Sequence, residues 1–332
     1  MTTGGLVGRE RELGELGAAL EAAEAGRGQL VLLVGEPGIG KTTLAHAFAA
    51  AATERGARMA WGRAWEAGGA PAFWPWVEVL RELCGDLDDR AAAAVGPSLA
   101  VVGEMAPELI AHLAPLPRPP EMAPAQARFR LFDAVATLLR YSARAAPLLV
   151  VLDDLHAADA ATLSLVQFAA RQVRRSRVLV VGTLRDVEAR LSPELAGELA
   201  RIARESRYLV LPRLGPGEVA TWLAAAGGGD ALADLLHRRT EGNPLFLVET
   251  YRLLRADPRG GLASLPDGVR EVIAARLRVL PDDCRRLLET AAILGRAVDL
   301  DLVAAMTGRS VDAVRAGLAE AVRAEVVTAR PR

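Results

Sequence analysis

A short apolar run followed at once by a glycine-rich loop is the feature that most restricts the fold of this chain. The run is Leu30–Val34, and the loop that follows reads Gly-Glu-Pro-Gly-Ile-Gly-Lys-Thr from Gly35 to Thr42. A continuous apolar run of this kind is typical of a strand buried on both faces of a parallel sheet. The loop fits the pattern G-x-x-x-x-G-K-[ST], in which backbone N–H groups at a helix N-terminus bind phosphate. We therefore expect a strand–loop–helix unit with a phosphate site.

Lys41 is the only lysine among 40 lysine and arginine residues, and it occupies the lysine position of the loop pattern. Its compact ammonium can reach between two phosphates, whereas arginine presents a wide planar fork. We predict that Lys41 neutralises the β- and γ-phosphates, that the Thr42 hydroxyl binds Mg²⁺, and that Thr43 caps the helix or touches the α-phosphate. The other loop residues predicted to surround the phosphates are Gly35, Pro37, Gly38 and Gly40.

A second motif is acidic: the apolar run Leu148–Leu152 is followed at once by Asp153 and Asp154. Asp153 is predicted to hold Mg²⁺, usually through water, because a hard cation prefers oxygen ligands. Asp154 is predicted to orient or deprotonate the attacking water. A pair of solvated carboxylates at a strand end is the alternative. Aspartate reaches less far than glutamate, so we expect slow hydrolysis.

The next apolar run, Val178–Val181, ends near Thr183 and Arg185, where a polar side chain can read the γ-phosphate or the attacking water. We assign that role to Arg185, and an ordinary surface ion pair with Asp186 is the alternative. Arg201 and Arg204 lie on a later predicted helix. They fit a solvated helix face better than the role of arginine fingers reaching a neighbouring subunit.

The alternation of strands and helices predicts an α/β fold: a five-stranded parallel sheet of the P-loop NTPase type, with helices on both faces. An all-helical subdomain and a partial winged helix are expected after it. We predict a nucleotide-binding domain over residues 1–213, a helical lid over 214–265 and a winged-helix-like domain over 266–332. The five predicted strands are Leu30–Val34, Arg58–Gly62, Leu148–Leu152, Val178–Val181 and Tyr208–Leu211.

Composition excludes several classes of protein. The formal net charge is −1, so no global basic field indicates nucleic acid or an anionic membrane as a partner. Cys84 and Cys284 lack metal-ligand spacing and are expected to be buried thiols. We find no signal-peptide pattern and no apolar run of transmembrane length, and we expect a cytoplasmic location. Four of the five tryptophans lie within residues 61–76, and we predict that they form a local core and not a ligand-binding box.

Seven short motifs occur together in an order that is similar to one known family. They are Val7–Glu10, Gly35–Thr42, Trp61–Arg63, Phe73–Trp76, Leu152–His156, Gly182–Asp186 and Glu241–Pro244. The set resembles the signal-transduction ATPases with numerous domains, within the AAA-like P-loop NTPases. The nearest likeness is to the ATPase module of large bacterial LuxR-type, MalT-like regulators, which is also found fused to adenylate cyclase domains.

The resemblance implies further roles. Val7, Gly8 and Arg9 would line the adenine side of the site, while Pro244 would pack on the nucleotide from the opposite side. Asn243, the only asparagine in the chain, would fix that turn. Bound ADP would close the lid on the core, and exchange for ATP would open it for self-assembly. Such a switch requires that the nucleotide bind the closed and open arrangements with different affinities.

The chain also departs from the family pattern. Ala157-Ala158-Asp159 stands where the family usually has Trp-Ala-Asp. Residues Asp283 to Val327 are predicted to form three helices and a first strand, Val326–Val327, as in a winged helix without most of its wing. We expect a truncated module whose C-terminal sensor and effector domains lie outside this chain. The third of these helices has a mixed charge pattern, so direct DNA binding by this fragment is not expected.

Three functions fit these observations. The first is an ATP-binding, slowly hydrolysing nucleotide switch of a bacterial signalling or transcriptional regulator. The second is a module that holds ADP with negligible turnover. The third is a DNA-remodelling helper ATPase of the origin-recognition type, which the near-neutral charge disfavours.

Overall fold

The structure is a computed structural model that describes residues 6–65, 71–85, 87–113, 115–116, 118–185, 193–256, 274, 277–278, 280–294, 298–324 and 326–327. Its centre is a parallel sheet with the strand order β2-β3-β4-β1-β5. The strands are β1 Gln29–Val34, β2 Arg58–Arg63, β3 Leu148–Asp153, β4 Val178–Leu184 and β5 Ser206–Val210. The predicted α/β fold with five parallel strands is confirmed.

Helices connect the strands and cover both faces of the sheet. The helices that precede β5 are α1 Glu10–Glu24, α2 Lys41–Glu54, α3 Trp74–Gly85, α4 Asp89–Met105, α5 Pro124–Ser142, α6 Ala160–Gln172 and α7 Pro193–Ala203. Alternate residues of β1 face opposite sides, as a strand requires. Leu30, Leu32 and Val34 join the core under α3, α4, α5 and α6, whereas Val31 and Leu33 join the core under α1 and α2.

The helix α4 was not predicted from the sequence. Val95, Leu99 and Val102 lie at helical spacing, but alanines make up much of the first turns and Pro97 lies inside the helix. Asp88 begins the helix by accepting a hydrogen bond from the backbone N–H of Ala91 at 2.7 Å. The backbone leaves the helical region at Val95, two residues before the proline, where the helix is kinked. Because proline cannot donate to the helix ladder, a break at this place is expected once the helix is known.

The prediction of one local tryptophan core is wrong. Trp76 is fully buried and belongs to the core on the α3 side of the sheet. Trp61 lies on the opposite side, where its ring stacks on His46 with centroids 4.1 Å apart. Trp65 is 59% exposed and Trp74 is half-buried. Trp61 is separated from Trp76 because alternate side chains of β2 face opposite sides of the sheet, and Trp61 faces away from α3.

Strand β2 forms one edge of the sheet, and two of its outward N–H groups donate to carboxylates from α3. The Trp61 N–H donates to Glu82 at 3.1 Å, and the Arg63 N–H donates to Glu78 at 2.7 Å. On the inner side, the chain of α3 approaches so closely that a Cβ at Gly62 would lie 1.9 Å from the Pro75 carbonyl oxygen. The edge strand and α3 therefore form one tightly fitted unit.

Among the described residues after β5 there are helices and their connections and no strand. This part of the chain contains α8 Pro216–Ala225, α9 Ala233–Thr240, α10 Pro244–Ala256, α11 Asp282–Ile293, α12 Leu300–Thr307, α13 Val311–Gly317 and α14 Ala319–Arg323. Helices α8 to α10 share their own small core, which includes Leu223, Leu236 and Leu247. Among the described residues, no helix has the length and apolar character needed to cross a membrane.

Two details of the C-terminal segment differ from the prediction. The third of the three helices predicted after Asp283, over Ser310–Arg323, is instead two helices that meet at Leu318. Gly317 lies against Leu287 at this point. Val326 and Val327 form a bend and not a strand, because both N–H groups return to the carbonyl oxygen of Ala321 at the end of α14. The winged-helix interpretation therefore stays a prediction.

Cys84 and Cys284 are both buried free thiols, as predicted. Burial raises the pKa of Cys84 to about 11, and it also raises the pKa of Cys284. Both side chains therefore remain thiols near neutral pH and act as packing groups.

Candidate functional site

The phosphate-type loop lies between β1 and α2, at the carboxyl end of the central strand. Gly38 and Gly40 have φ values of 78° and 98°, which lie in the left-handed region that favours glycine. Gly40 is also the N-cap of α2, so the turn that begins the helix depends on this conformation. The loop therefore presents a helix N-terminus, where backbone N–H groups and the helix dipole favour an anion.

Lys41 is buried beneath the loop, with 6% of its surface exposed. Its Nζ donates to the carbonyl oxygens of Gly35 and Glu36, at 2.9 and 3.0 Å. The ammonium is therefore held at the centre of the loop by neutral acceptors. A phosphate oxygen entering the loop would be a charged and stronger acceptor for the same group.

Thr42, Asp153 and Thr183 come together from three different elements. The Thr42 hydroxyl lies 3.0 and 3.2 Å from the two carboxylate oxygens of Asp153. The Thr183 hydroxyl donates to Asp153 Oδ1 at 2.6 Å. These contacts follow from the strand order, because β4 lies between β1 and β3 and all three strands end at the same edge.

The oxygen atoms of Thr42 and Asp153 fit a hard divalent cation such as Mg²⁺. In the described part of the chain, no group of three or more His, Cys, Asp or Glu residues could hold a metal ion by itself. A magnesium ion at this position would therefore need oxygen ligands from elsewhere, which the phosphates of a nucleotide and water supply.

Asp154 has an unusual backbone conformation, with φ 58° and ψ 41°. Left-handed residues other than glycine are uncommon and require support from their surroundings. The Asp154 N–H donates to the Thr183 hydroxyl at 2.8 Å, and the Asp154 carbonyl accepts from the Ala157 N–H at 2.8 Å. The carboxylate predicted to act on water therefore has a fixed backbone, and Thr183 connects it to Asp153.

Arg63 forms an ion pair with Asp154 that the sequence did not indicate. Its Nη2 and Nε lie 2.8 and 3.0 Å from Asp154 Oδ2, and Nε lies 3.8 Å from Asp153 Oδ2. Arg63 is opposite Asp153 in the register of β2 and β3. The motif Trp61–Arg63 carried the only sequence signal, and the role becomes visible once β2 is known to pair with β3.

His156 is a second buried neighbour of Asp154 that the sequence did not single out. Its Nδ1 lies 3.9 Å from Asp154 Oδ1, and 7% of the residue is exposed. Burial, together with the charge of Arg185, lowers the pKa of His156 to about 3. The imidazole is therefore neutral near pH 7, and Arg185 lies close enough to influence it.

The remaining polar residues predicted after β4 have different surroundings. Arg185 follows β4 directly and is half-buried near this cluster, while its alternative partner Asp186 lies outside the described residues. Thr183 is fully buried, and its hydroxyl is occupied by Asp153 and Asp154. Arg201 and Arg204 are exposed, and Arg201 pairs with Glu198 one helical turn away.

The N-terminal segment Val7–Arg9 lies beside the loop and against α8. Arg9 is 2% exposed, and its Nη2 donates to the carbonyl oxygens of Ile39 and Pro212 at 3.1 and 2.8 Å. Burial lowers the pKa of Arg9. Gly8 has a φ of 67°, and a Cβ there would lie 2.5 Å from Glu218 Oε1. Arg9 thus connects the loop to the segment between β5 and α8.

Asn243 contacts the loop directly from the start of α10. It is fully buried, and its Nδ2 donates to the Pro37 carbonyl at 3.1 Å. The next N–H, from Leu245, donates to the Gly38 carbonyl at 3.2 Å and to Asn243 Oδ1 at 3.1 Å. Pro244, the first residue of α10, is half-buried beside these contacts.

The five loop carbonyls from Gly35 to Ile39 all accept hydrogen bonds. Lys41 donates to the first two, Asn243 and Leu245 donate to the next two, and Arg9 donates to the last. The carbonyl side of the loop is thus bound to the protein, including the start of α10. Any change in loop geometry caused by a ligand would be transmitted to these donors.

Comparisons with known proteins agree with this architecture. The family model described as AAA ATPase domain matches residues 5–181, more than half of the chain. A protein of Rhizobium meliloti (strain 1021), described as uncharacterized, is 25% identical over 328 residues. That alignment covers 91% of this chain and 31% of the relative, so this chain spans about a third of the length of the curated relative it matches.

Several solved structures share the fold at low sequence identity. The Aeropyrum pernix ORC2 protein, solved as ADPNP–ADP complexes, has a TM-score of 0.60 and 18% identity over 98% of this chain and 88% of that chain. A Walker-type ATPase of Pyrococcus abyssi has a TM-score of 0.50 and 14% identity over 95% and 89%. A signal transduction ATPase with numerous domains from Pyrococcus horikoshii has a TM-score of 0.41 and 15% identity, covering 95% of this chain and 39% of that chain.

Proposed function

Because this chain belongs to the AAA ATPase domain family, we propose that it is the ATP-binding, slowly hydrolysing switch module of a bacterial signalling or transcriptional regulator of the LuxR/MalT-like type. The observation that carries this proposal is the chain of contacts from Thr42 through Asp153 and Thr183 to Asp154, directly below the phosphate loop. In this proposal Thr42 and Asp153 form the cation site, and Asp154 is the water-positioning carboxylate near the buried Lys41.

Each residue has a separate task in the proposed reaction. Lys41 exchanges its two carbonyl acceptors for oxygens of the β- and γ-phosphates. Thr42 and Asp153 hold Mg²⁺, which neutralises charge on the phosphates when it is bound. Asp154 positions the water that attacks the γ-phosphate, and Arg185 offsets the charge that develops there. Because an aspartate reaches less far than a glutamate, the hydrolysis step is slow.

The same proposal includes a division of labour along the chain. Residues 1–213 bind the nucleotide, residues 214–265 form a lid and residues 266–332 form a winged-helix-like domain. Val7, Gly8 and Arg9 lie on the adenine side, with Pro244 on the opposite side. The lid closes when ADP is bound, and exchange for ATP favours self-assembly of a cytoplasmic regulator whose sensor and effector domains lie beyond residue 332.

One contact favours a second candidate, a module that holds ADP with negligible turnover. Asp154 Oδ2 accepts from two nitrogen atoms of Arg63, so that oxygen can bind a water only if the pair opens, and with the pair closed a water would have to use Oδ1. A charge-assisted pair of this geometry is stronger than a neutral hydrogen bond. The Arg63–Asp154 pair therefore supports a module that holds ADP, while the position of Asp154 supports one that hydrolyses ATP.

Two measurements separate the candidates. The purified protein is denatured and the released nucleotide is identified, and a single-turnover assay with Mg·ATP then follows cleavage directly. Slow production of ADP from bound ATP supports the switch. Stoichiometric ADP without any turnover contradicts the hydrolysing switch and supports the ADP-holding module. Stimulation of turnover by DNA would favour the origin-recognition-type alternative.

Variants assign the residues. Lys41→Ala is expected to abolish nucleotide binding, and Lys41→Arg is expected to fail as well if the slim ammonium and not only the charge is required. Asp154→Asn should bind ATP and not cleave it. Asp133→Asn, at an exposed position of α5, is the matched control and should cleave at the normal rate. Normal cleavage by Asp154→Asn would show that the water-positioning assignment is wrong.

A further inference from the structure

Arg213 lies in the connection between β5 and α8 and contacts the phosphate loop and the lid at the same time. Its Nε and Nη2 lie 2.5 and 2.8 Å from the two carboxylate oxygens of Glu36, the second residue of the loop. Its remaining terminal nitrogen, Nη1, lies 2.6 Å from a carboxylate oxygen of Glu241. All three nitrogen atoms of one guanidinium are therefore used, two toward the loop and one toward the lid.

The two carboxylates occupy positions that matter for nucleotide binding. The Glu36 side chain is only 10% exposed, and its own backbone carbonyl accepts the Lys41 ammonium. An uncompensated charge there would repel phosphates entering the loop. Glu241 has a φ of 51° and directly precedes Gly242 and Asn243, which donates to the loop. Glu241 thus sits at the turn that aims Asn243.

Arg213 joins Glu36 to Glu241, and we call these three side chains the bridge. Its geometry requires arginine. A bidentate pair with one carboxylate and a bond to a second one need a planar fork with several donors, which a lysine ammonium does not provide. Hydrogen bonding to Glu36, followed by its charge and by the same contributions of Glu241, raises the pKa of Arg213. The Arg213 guanidinium is thus charged near neutral pH.

We propose that Arg213 is a positioning residue that couples the phosphate loop to the lid, by holding Glu36 and Glu241 in one bridge. This inference rests on the proposed nucleotide site and names a mechanism by which occupancy of that site reaches the lid. When nucleotide displaces the loop, the Glu36 half of the bridge moves, and the Glu241 half carries the change to the turn before α10. Docking of the lid, in return, holds the loop in one geometry and slows nucleotide release.

The first test measures release of a fluorescent ADP analogue from the full chain by rapid displacement. Arg213→Ala and Glu241→Gln should each speed release by about three- to fivefold, the range of a partly exposed ion pair. Arg213→Lys should not restore the normal rate, because it keeps the charge and loses the fork. Arg207→Ala removes a comparable surface pair with Glu15, at 2.7 Å, and should leave the rate unchanged.

A double-mutant cycle shows whether the two halves act together. The variant that combines Glu36→Gln with Glu241→Gln should speed release of the ADP analogue by less than the two separate effects taken together. Additive effects, or a normal rate in Glu241→Gln beside a fast rate in Arg213→Ala, would overturn the proposal and leave Arg213 as a local neutraliser of Glu36. Full rescue by Arg213→Lys would overturn it too.

The second test needs no nucleotide and therefore separates this proposal from the proposed function. Amide hydrogen exchange is followed in the loop segment 35–42 and in the lid segment 241–247. Glu241→Gln should speed exchange in both segments if the bridge couples them, and only in the lid if it does not. Absence of analogue binding to the wild-type protein would contradict the proposed function alone, since the exchange result still decides the coupling.

Discussion

The imidazole of His156 predicts how stability depends on pH. Its pKa is about 3 in the folded protein, mainly because of burial, against an ordinary value of 6.5. Between these values the unfolded chain binds more protons than the folded protein does. Acidification through this window therefore lowers the free energy of unfolding, by at most about 1.4 kcal/mol per pH unit from this group. Above about pH 6.5 the group adds no pH dependence.

The measurement is urea unfolding near pH 7 and near pH 5, in the wild-type protein and in two variants. His156→Gln should lose part of the acid sensitivity, whereas the exposed His112→Gln should keep all of it. An unchanged pH slope in His156→Gln would contradict the assignment of a neutral, buried imidazole.

The residues of the site differ in how visible they are in the sequence. Lys41, Thr42 and Asp153 were singled out because each follows an apolar strand within a short local pattern, and the structure brings them together below the loop. Arg213 has no local signal, and the motif Trp61–Arg63 gave no role for Arg63. Their contacts depend on which strands are neighbours and on how the connection after β5 folds, and sequence spacing alone contains neither fact.

The packing of β2 against α3 gives a prediction for Gly62→Ala. A Cβ at this position would overlap a backbone carbonyl of α3, which cannot move without shifting the helix. We expect a loss of about 2–4 kcal/mol in the free energy of unfolding, in the range of severe overpacking. Gly14→Ala, on the exposed side of α1 with nothing within 4 Å, should instead stabilise by up to about 1 kcal/mol.

Chemical unfolding of the two variants beside the wild-type protein checks this pair. Equal stability of Gly62→Ala and wild type would show that β2 and α3 are not fitted as closely as described.

The same local reasoning explains which helices and strands were predictable. Strands β1, β3 and β4 contain continuous apolar runs, and all five strands were predicted, with ends that moved by at most three residues. Helix α4 has Val95, Leu99 and Val102 at helical spacing, but it is kinked at Val95 and Pro97 lies inside it, which hides the helix in the sequence. Its stability comes from packing on α5 and on the core below, which no local pattern reports.

Nucleotide binding should stabilise the whole protein against unfolding. A ligand that binds only the folded state at a hundred times its dissociation constant adds about 2.7 kcal/mol. We expect Mg·ADP to raise the unfolding midpoint of the wild-type protein and to leave that of Lys41→Ala unchanged. Thermal unfolding with and without nucleotide measures this shift, with EDTA added to test the contribution of Mg²⁺. A shift of equal size in Lys41→Ala would place the nucleotide elsewhere.

The two carboxylates that cover β2 also determine how the sheet can meet other chains. An open strand edge has unpaired N–H and C=O groups to which a strand of another chain can add. Here Glu78 and Glu82 already accept the outward N–H groups of Arg63 and Trp61. An incoming strand would have to displace both acids and desolvate its own backbone to gain the same bonds. This side of the molecule is therefore protected from strand addition and from the aggregation that begins with it.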